Sequence, residues 1–283
     1  MERFFGCHVS SSGGIVNAVL AAKTLNVNTI QFHPSPPQRW NSSPFAAGVE
    51  KAFLKEIETS PVKKVFFHGI YLINLANPDP EQQSKSRTSL VHYLDLNARL
   101  KGAGVIFHVG SLKDEPNEEV GFTRAADSIN WVMEKAPKEA RLILEVAAGS
   151  GKVIGDHFED LATIYSKVER KDAVGFGLDS QHMWASGYDL QGGLDKVVKD
   201  IDTNFGMEKV WAVHLNDSKT ACGSKKDRHE NLGAGLIGEA AIRAIVHHPK
   251  LAPIPFILET PNLKDEAGAK VEVEKLRAIV SEG

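Results

Sequence analysis

Short apolar runs alternate with longer segments of helical periodicity along almost the whole chain. A strand is predicted where about four to eight apolar or β-branched residues stand together, and a helix where apolar residues recur three or four positions apart. We expect strands over residues 4–9, 28–32, 64–67, 105–107, 141–144, 174–179, 209–213 and 255–258. We expect helices over residues 15–25, 49–58, 81–101, 122–135, 158–168, 194–205, 238–247 and 265–280.

This alternation of strands and helices is typical of an α/β fold. About eight successive βα units in 283 residues indicate a single-domain (β/α)8 TIM barrel over residues 1–283. A doubly wound parallel sheet gives the same alternation. The barrel is favoured because many of the predicted strands run into a His, Asp or Glu, and barrel strands end together on one face.

Composition narrows the class of protein. Hydrophobic residues make up 42% of the chain, enough for a sizeable core, and the formal net charge of −3 gives no sign of a nucleic-acid partner. The two cysteines, Cys7 and Cys222, exclude a cysteine-based zinc site and make a disulfide framework unsupported. Lacking a signal pattern or an apolar stretch of bilayer length, the chain is expected to be cytoplasmic, with no membrane partner. No segment indicates an oligomer interface, and we expect a monomer.

Side chains at or near the strand ends are of the types that bind transition metals. Asp179 at a strand end and His182 one helical turn later can point into one cleft. Asp227 and His229, two apart in an extended loop, can point to the same side. The candidates are His68, His108, Glu145, Asp179, His182, His214, Asp227, His229 and Glu259.

Taken singly, each candidate has an ordinary explanation, such as a helix cap or a buried histidine. Taken together, acids and imidazoles within reach of one another are costly unless cations neutralise the acids. The set is too large for one tetrahedral zinc and suits two or three ions with a bridging carboxylate, of the kind that activates water and clamps phosphate oxygens. His8 ends the first strand without a partner by spacing, and His33 is interpreted as a surface residue.

Several motifs resemble the endonuclease IV family of apurinic/apyrimidinic (AP) endonucleases over nearly the whole length. They are GCHVSSSGG, HGIYLINL, FHVGS, LEVAAGSG, GLDSQHMWASGYD, HLNDSKTACGSKKDRHENLGAGLIG and ILETPN. Members are TIM barrels with three metal ions, so the resemblance implies three Zn²⁺, with Mn²⁺ or Fe²⁺ as alternatives at one or more sites. The implied sets are His68, His108 and Glu145; Glu145, Asp179, His214 and Glu259; and His182, Asp227 and His229.

The resemblance also implies a reaction. It is hydrolysis of the phosphodiester 5′ to an abasic site in double-stranded DNA, a step of base excision repair, leaving a 3′-hydroxyl and a 5′-deoxyribose phosphate. Glu145 and Glu259 are the implied catalytic residues of this three-metal mechanism. Trimming of blocked 3′ ends and incision beside oxidised bases are further expected activities. The expected DNA contacts are Gln38, Arg39, Tyr71, Leu72 and Arg228.

The chain departs from the family pattern beside several ligands. Gly69 stands where an Asp is common, Val109 where a Pro is usual, and Val146 and Ala147 where Asn and Thr are usual. In the loop after the second strand, Gln38 occupies the place of an Arg, and Arg39 is adjacent to Trp40. We expect the lost polar groups to change how the ligands are oriented and so to tune metal affinity or rate.

Two other functions fit parts of the pattern. A sugar isomerase or epimerase shares the barrel and its carboxylate and histidine metal sites, but that class usually needs two ions at most. A protein that binds damaged DNA but has lost catalysis is a further alternative, and the full ligand set argues against it.

Overall fold

The eight parallel strands predicted from the sequence close into a barrel, which confirms the α/β TIM-barrel prediction. The structure is a computed structural model that describes residues 2–36, 38–40 and 45–282. Neighbouring strands follow the order β1-β10-β7-β6-β5-β4-β3-β2. The barrel strands are β1 (Phe5–His8), β2 (Thr29–Phe32), β3 (Lys64–His68), β4 (Gly104–His108), β5 (Leu142–Glu145), β6 (Val174–Asp179), β7 (Val210–His214) and β10 (Phe256–Leu258).

Helices surround the barrel, and a short antiparallel pair lies in the loop after β7. The helices are α1 (Val16–Leu25), α2 (Val49–Glu58), α3 (Pro80–Arg99), α4 (Glu118–Lys135), α5 (Phe158–Ser166), α6 (Ser180–Ser186), α7 (Leu194–Phe205), α8 (Gly238–His247) and α9 (Glu266–Ser281). The antiparallel pair is β8 (Asp217–Ser218) and β9 (His229–Glu230), and 3₁₀ turns cover Met207–Lys209 and Pro261–Lys264. Within the described ranges, no helix combines the length and apolar character that crossing a membrane requires.

Two separate apolar clusters fill the molecule. The larger one packs the outer faces of the strands against the helices, whereas the smaller one fills the barrel lumen with one residue from each of several strands. The lumen residues are Phe66, Ile106, Ile143, Ala212 and Ile257. Because side chains alternate along a strand, the residue two positions later also faces the lumen axis. Those next residues are His68, His108, Glu145, His214 and Glu259.

Strand register places these side chains at one height. The Cα atoms of His108 and Glu145 are paired across β4 and β5, and those of Asp179 and His214 across β6 and β7. In β6 the lumen position below Asp179 is Gly177, where an added Cβ would lie 3.2 Å from Ile143. The candidate ligands therefore form the layer directly above the apolar plug of the barrel.

Three local elements differ from the sequence prediction. Helix α4 begins at Glu118, a turn before the predicted start, because the side chain of Asn117 accepts the Glu119 N–H at 3.1 Å as a cap. The short helix α6 follows β6 directly, with Asp179 as its N-cap. The β8–β9 pair was not expected either, because two-residue strands carry no periodicity.

Candidate metal centre

Glu145 lies at the centre of the ligand layer and faces histidines on two sides. Its Oε2 is 3.1 Å from Nε2 of His68 and 3.5 Å from Nε2 of His108. Its Oε1 is 2.7 Å from Nδ1 of His214. The carboxylate is fully buried, so its two oxygens are directed by these partners and not by solvent. A carboxylate with this orientation can bridge two cations.

A second group forms on the β6, β7 and β10 side of Glu145. Nδ1 of His214 is 3.3 Å from Oε2 of Glu259 and 3.8 Å from Oδ2 of Asp179. One donor atom from each of Glu145, Asp179, His214 and Glu259 lies within 4.8 Å of the others. Three carboxylates around one imidazole suit a divalent cation, which would neutralise the acids.

A third group joins α6 to the loop after β7. Nε2 of His182 lies 3.5 Å from Asp227 Oδ2, and Nε2 of His229 lies 3.3 Å from Asp227 Oδ1. The two histidine Nε2 atoms are 3.4 Å apart. Asp179 also reaches this group, because its Oδ2 is 3.8 Å from His229 Nε2. The structure thus brings all nine candidate ligands together, with Asp179 adjoining two groups.

Backbone carbonyl groups orient three of the histidines. Nδ1 of His68 faces the Gly69 carbonyl at 2.8 Å, and Nδ1 of His182 faces the Val146 carbonyl at 3.0 Å. Nδ1 of His229 faces the carbonyl of Glu259 at 3.1 Å. A carbonyl only accepts, so each Nδ1 carries a proton and each Nε2 is the nitrogen directed at the cluster. This is the arrangement that histidine ligands of metals adopt.

The electrostatics of the cluster fit cation binding. Burial opposes the ionised form of Glu145, but His108 and His214 hold the pKa of its carboxyl well below the usual value. Burial also opposes a charge on His214, yet Glu259 and Glu145 outweigh it and raise the pKa of His214 to about 9. The pKa of His182 is likewise raised, against burial, by Asp179 and Asp227. In cation-free protein, bound protons therefore balance the acids, and a cation that binds displaces them.

Comparisons with known proteins show the family of the chain. A family model described as a xylose isomerase-like TIM barrel matches residues 19–279. A probable endonuclease 4 of Chloroflexus aggregans is 33% identical over 279 residues, covering 98% of this chain and 97% of that protein. The chain belongs to the endonuclease 4 family. An apurinic-apyrimidinic endonuclease of Caenorhabditis elegans is 36% identical over 272 residues, covering 93% of this chain and 67% of that protein.

The solved structure of endonuclease IV from Thermus thermophilus superposes on the whole chain. Its TM-score is 0.88 at 29% sequence identity, and the match covers 100% of both chains. The xylose isomerase-like family model describes a fold that sugar isomerases share, whereas the relatives matched along the full chain are named endonucleases. This difference favours the nuclease over the sugar isomerase alternative.

Two departures from the endonuclease 4 motifs lie at residues whose backbone carbonyls contact ligand histidines. At Gly69 and Val146 the group that binds the neighbouring imidazole is the backbone carbonyl, which any residue supplies. These two contacts do not require a side chain, and the expected effect of the lost polar groups on metal affinity or rate stays a prediction. At Ala147 the carbonyl accepts the Ser186 hydroxyl at 2.8 Å, which ties the same loop to α6.

Sequence reasoning missed two buried amides that contact the acids. Asn216 donates from Nδ2 to Asp179 Oδ2 at 2.7 Å and accepts the Glu259 N–H at 2.9 Å. Gln31 donates from Nε2 to Glu259 Oε1 at 2.6 Å and accepts from Nε2 of His214 at 2.7 Å. The sequence did contain a sign of them, because side chains alternate along a strand: Asn216 stands two residues after His214, and Gln31 stands two residues before His33.

The interpretation of His33 as a surface residue is wrong. Its ring lies 4.9 Å from that of His8 and 5.3 Å from that of His68, and its Nδ1 faces the His68 carbonyl at 3.0 Å. Burial, with His68 and His8 adding to it, lowers the pKa of His33 to about 3. His8 also adjoins the cluster, since its Nδ1 is 3.6 Å from Glu259 Oε1. His33 is therefore neutral at physiological pH and shapes the cavity without adding charge.

Two cavities open onto the cluster on either side of Tyr71. One of about 850 Å³ is lined by Gln38, His68, His229 and Glu259 among others, and one of about 600 Å³ by Trp40 and Leu72 among others. Tyr71 lines both and is 69% exposed, and Leu72 is 39% exposed. Arg39 and Arg228 are exposed as well. Of the positions predicted to contact DNA, Gln38, Tyr71 and Leu72 line the cavities, and Arg228 stands between the ligands Asp227 and His229 in the sequence.

Proposed function

We propose that the chain is a repair hydrolase that cuts the phosphodiester 5′ to abasic sites in double-stranded DNA, using three divalent cations held by the nine ligands. Zn²⁺ suits the donor set best, because imidazole nitrogens and carboxylate oxygens in sites of three or four ligands are its usual partners. Membership in the endonuclease 4 family supports DNA cleavage, and the relative from Caenorhabditis elegans is named for apurinic-apyrimidinic substrates.

One observation carries the proposal: Glu145 and Asp179 join three ligand groups into one continuous site. Adjacent cations in such a site supply an activated water and stabilise the charge that develops on a phosphoryl group. The residues of the chain do the positioning. Glu145 and Glu259 direct their oxygens at the same point beside His214, which places them to orient the attacking water.

The surface around the site supports a duplex as the substrate. Tyr71 and Leu72 are large, exposed side chains at the cavities; Tyr71 lines both, and Leu72 lines the smaller one. Side chains of this kind can fill the gap that a missing base leaves, while the abasic sugar leaves the stack for the cavity over the cations. Monomeric action is consistent with this arrangement, because the nine ligands come from one chain.

The proposal is tested by measuring zinc content and nicking of an abasic-site duplex in Glu259→Gln. Wild-type protein should bind about three zinc ions and cut the duplex, and a chelator should abolish the cutting. The variant should lose activity by about three orders of magnitude or more, because it loses a ligand and a charge. Glu134→Gln, a change of the same kind on the exposed face of α4, should behave as wild type.

Two results would contradict the proposal. Nicking by wild-type protein that survives complete removal of metal would exclude the cation mechanism. Wild-type nicking rates in Glu259→Gln would show that this carboxylate has no part in it. An undamaged duplex and free ketose sugars serve as substrate controls, since turnover of sugars alone would favour the isomerase alternative.

A further inference from the structure

We propose that Gln31 is a positioning residue that decides which nitrogen of His214 and which oxygen of Glu259 face the cations. The inference deepens the proposed function and rests on it. Gln31 lies in β2, across the barrel from β7, and its side chain is fully buried among groups of the site. It contacts His214, Glu259 and His8 and is not one of the candidate ligands.

The partners of the amide determine its orientation. Glu259 Oε1 is a carboxylate oxygen and only accepts, so the group 2.6 Å from it must be the NH₂ of Gln31. The amide oxygen is then directed at Nε2 of His214, at 2.7 Å. A flipped amide would place its oxygen against the carboxylate oxygen of Glu259, so that two acceptors would face each other. One orientation therefore satisfies both partners.

This orientation assigns the tautomer of His214. Because the Gln31 oxygen can only accept, Nε2 of His214 carries the proton in this contact, and Nδ1 is the nitrogen directed at the acids of the cluster. Nδ1 is the atom that lies between Glu145, Asp179 and Glu259. His214 thus differs from His68, His182 and His229, which offer Nε2 and are oriented by backbone carbonyls.

The same amide orients Glu259. The bond from Gln31 engages Oε1, and Oε2 is left 3.3 Å from Nδ1 of His214, on the cation side. Gln31 Nε2 also lies 3.1 Å from Nδ1 of His8, so its second N–H has an acceptor. Every polar atom of the amide is therefore used, as expected for a polar side chain kept in a lumen layer that is otherwise apolar or ligating.

Two variants separate the two contacts. Gln31→Met preserves length and volume but removes both contacts, whereas Gln31→Glu keeps an acceptor for His214 and removes the donor to Glu259. Gln83→Met, on α3, is the matched control for the loss of an amide. Zinc content is measured in buffers of known free zinc, and the imidazole nitrogens of His214 are observed by ¹⁵N NMR in the zinc-loaded protein.

In Gln31→Met we expect one zinc ion to bind about 10- to 100-fold more weakly, with the others unchanged. The ¹⁵N signals should show His214 losing its single Nε2–H form. In Gln31→Glu the His214 signals should keep the wild-type pattern, while zinc binding weakens because two carboxylates are brought together. Wild-type zinc binding and wild-type His214 signals in Gln31→Met would overturn the inference, as would equal effects on all the zinc ions.

Failure of the inference and failure of the proposed function give different results. If wild-type protein cuts abasic-site DNA and Gln31→Met binds zinc normally, the positioning role is wrong and the nuclease stands. If Gln31→Met loses one zinc ion but wild-type protein does not cut this DNA, the positioning role stands and the proposed reaction is wrong. If Gln31→Met does not fold, Gln31→Glu decides, since unchanged zinc binding there contradicts the role of the amide donor.

Discussion

The ligands carried by barrel strands and those carried by the loop after β7 are held in different ways. Glu145 and His214 end strands and have 0% and 1% exposed side chains, whereas Asp227 in the loop has 54%. Strand ligands are placed by barrel register, since each follows a lumen residue by two positions. The positions of the loop ligands depend on hydrogen bonds to residues elsewhere in the sequence. The cluster therefore combines ligands held by barrel strands with ligands held by a loop.

A few buried polar groups anchor the loop. The carboxylate of Asp217 accepts the backbone N–H groups of Ser218, Gly235, Ile237 and Gly238, which closes the loop at both ends. Gln181 on α6 donates to the Lys226 carbonyl at 2.9 Å. The loop ligands lack the ladder of the barrel strands, so we expect them to be the more easily displaced.

The largest difference in metal content and nicking rate is expected between the variants Glu145→Gln and Asp227→Asn. Glu145 belongs to two ligand groups, so its loss should remove about two cations and lower the nicking rate by about three orders of magnitude or more. Asp227 serves one group and is itself half exposed, and its loss should remove one cation and lower the nicking rate about 10- to 100-fold. Metal analysis measures the number of cations, and single-turnover nicking measures the rate. Equal losses in the two variants would refute the distinction between strand ligands and loop ligands.

Asp217→Asn should affect the loop alone. An amide offers one acceptor oxygen to the backbone groups that the buried carboxylate now satisfies, which should cost about 2–3 kcal/mol of unfolding free energy. We expect the cation at His182, Asp227 and His229 to be lost first under chelator. Denaturant unfolding and metal counts test this, with the exposed Asp172→Asn as control. Uniform loss of all cations in Asp217→Asn would argue against a separately anchored loop.

The stability of the cluster should depend on pH in opposite directions with and without metal. In metal-stripped protein the pKa of His214 is raised from 6.5 to about 9, so its contribution is fully present below pH 6.5 and is lost as pH rises through 9. In zinc-loaded protein, protons compete with the cation, so stability should rise over the same range. Denaturant midpoints between pH 6.5 and 9 measure this, and parallel trends in both forms would contradict it.

The smallest effect is expected at the outer edge of the loop. Arg228 is exposed, and its guanidinium contacts its neighbour's carbonyl at 2.6 Å, which leaves other donors for a phosphate. Arg228→Ala should weaken DNA binding and reduce the slope of log affinity against log salt by about one. Lys138→Ala, at the other end of the barrel before β5, should leave the slope unchanged.

Periodicity was enough to predict most of the architecture. Helices α2, α7 and α8 begin and end where their apolar spacing indicates, and each barrel strand lies at its predicted place within a few residues. The ligand types were equally visible, because a His or an acid that ends an apolar strand interrupts the pattern. By contrast, α6 and the β8–β9 pair are too short to show a period. Asp179 caps α6, and the hydrogen bonds of Asp217 close the loop that contains the β8–β9 pair.

The sequence by itself determined the barrel, the face on which the ligands gather and the residue types available for cations, because alternation and strand ends are local properties. Tertiary structure alone decided how the ligands are shared and oriented. Glu145 bridges two groups because β3, β4 and β7 converge on it, and Gln31 reaches His214 over 183 positions of chain. Such contacts join residues that are far apart in the chain, and no local pattern encodes which of them meet.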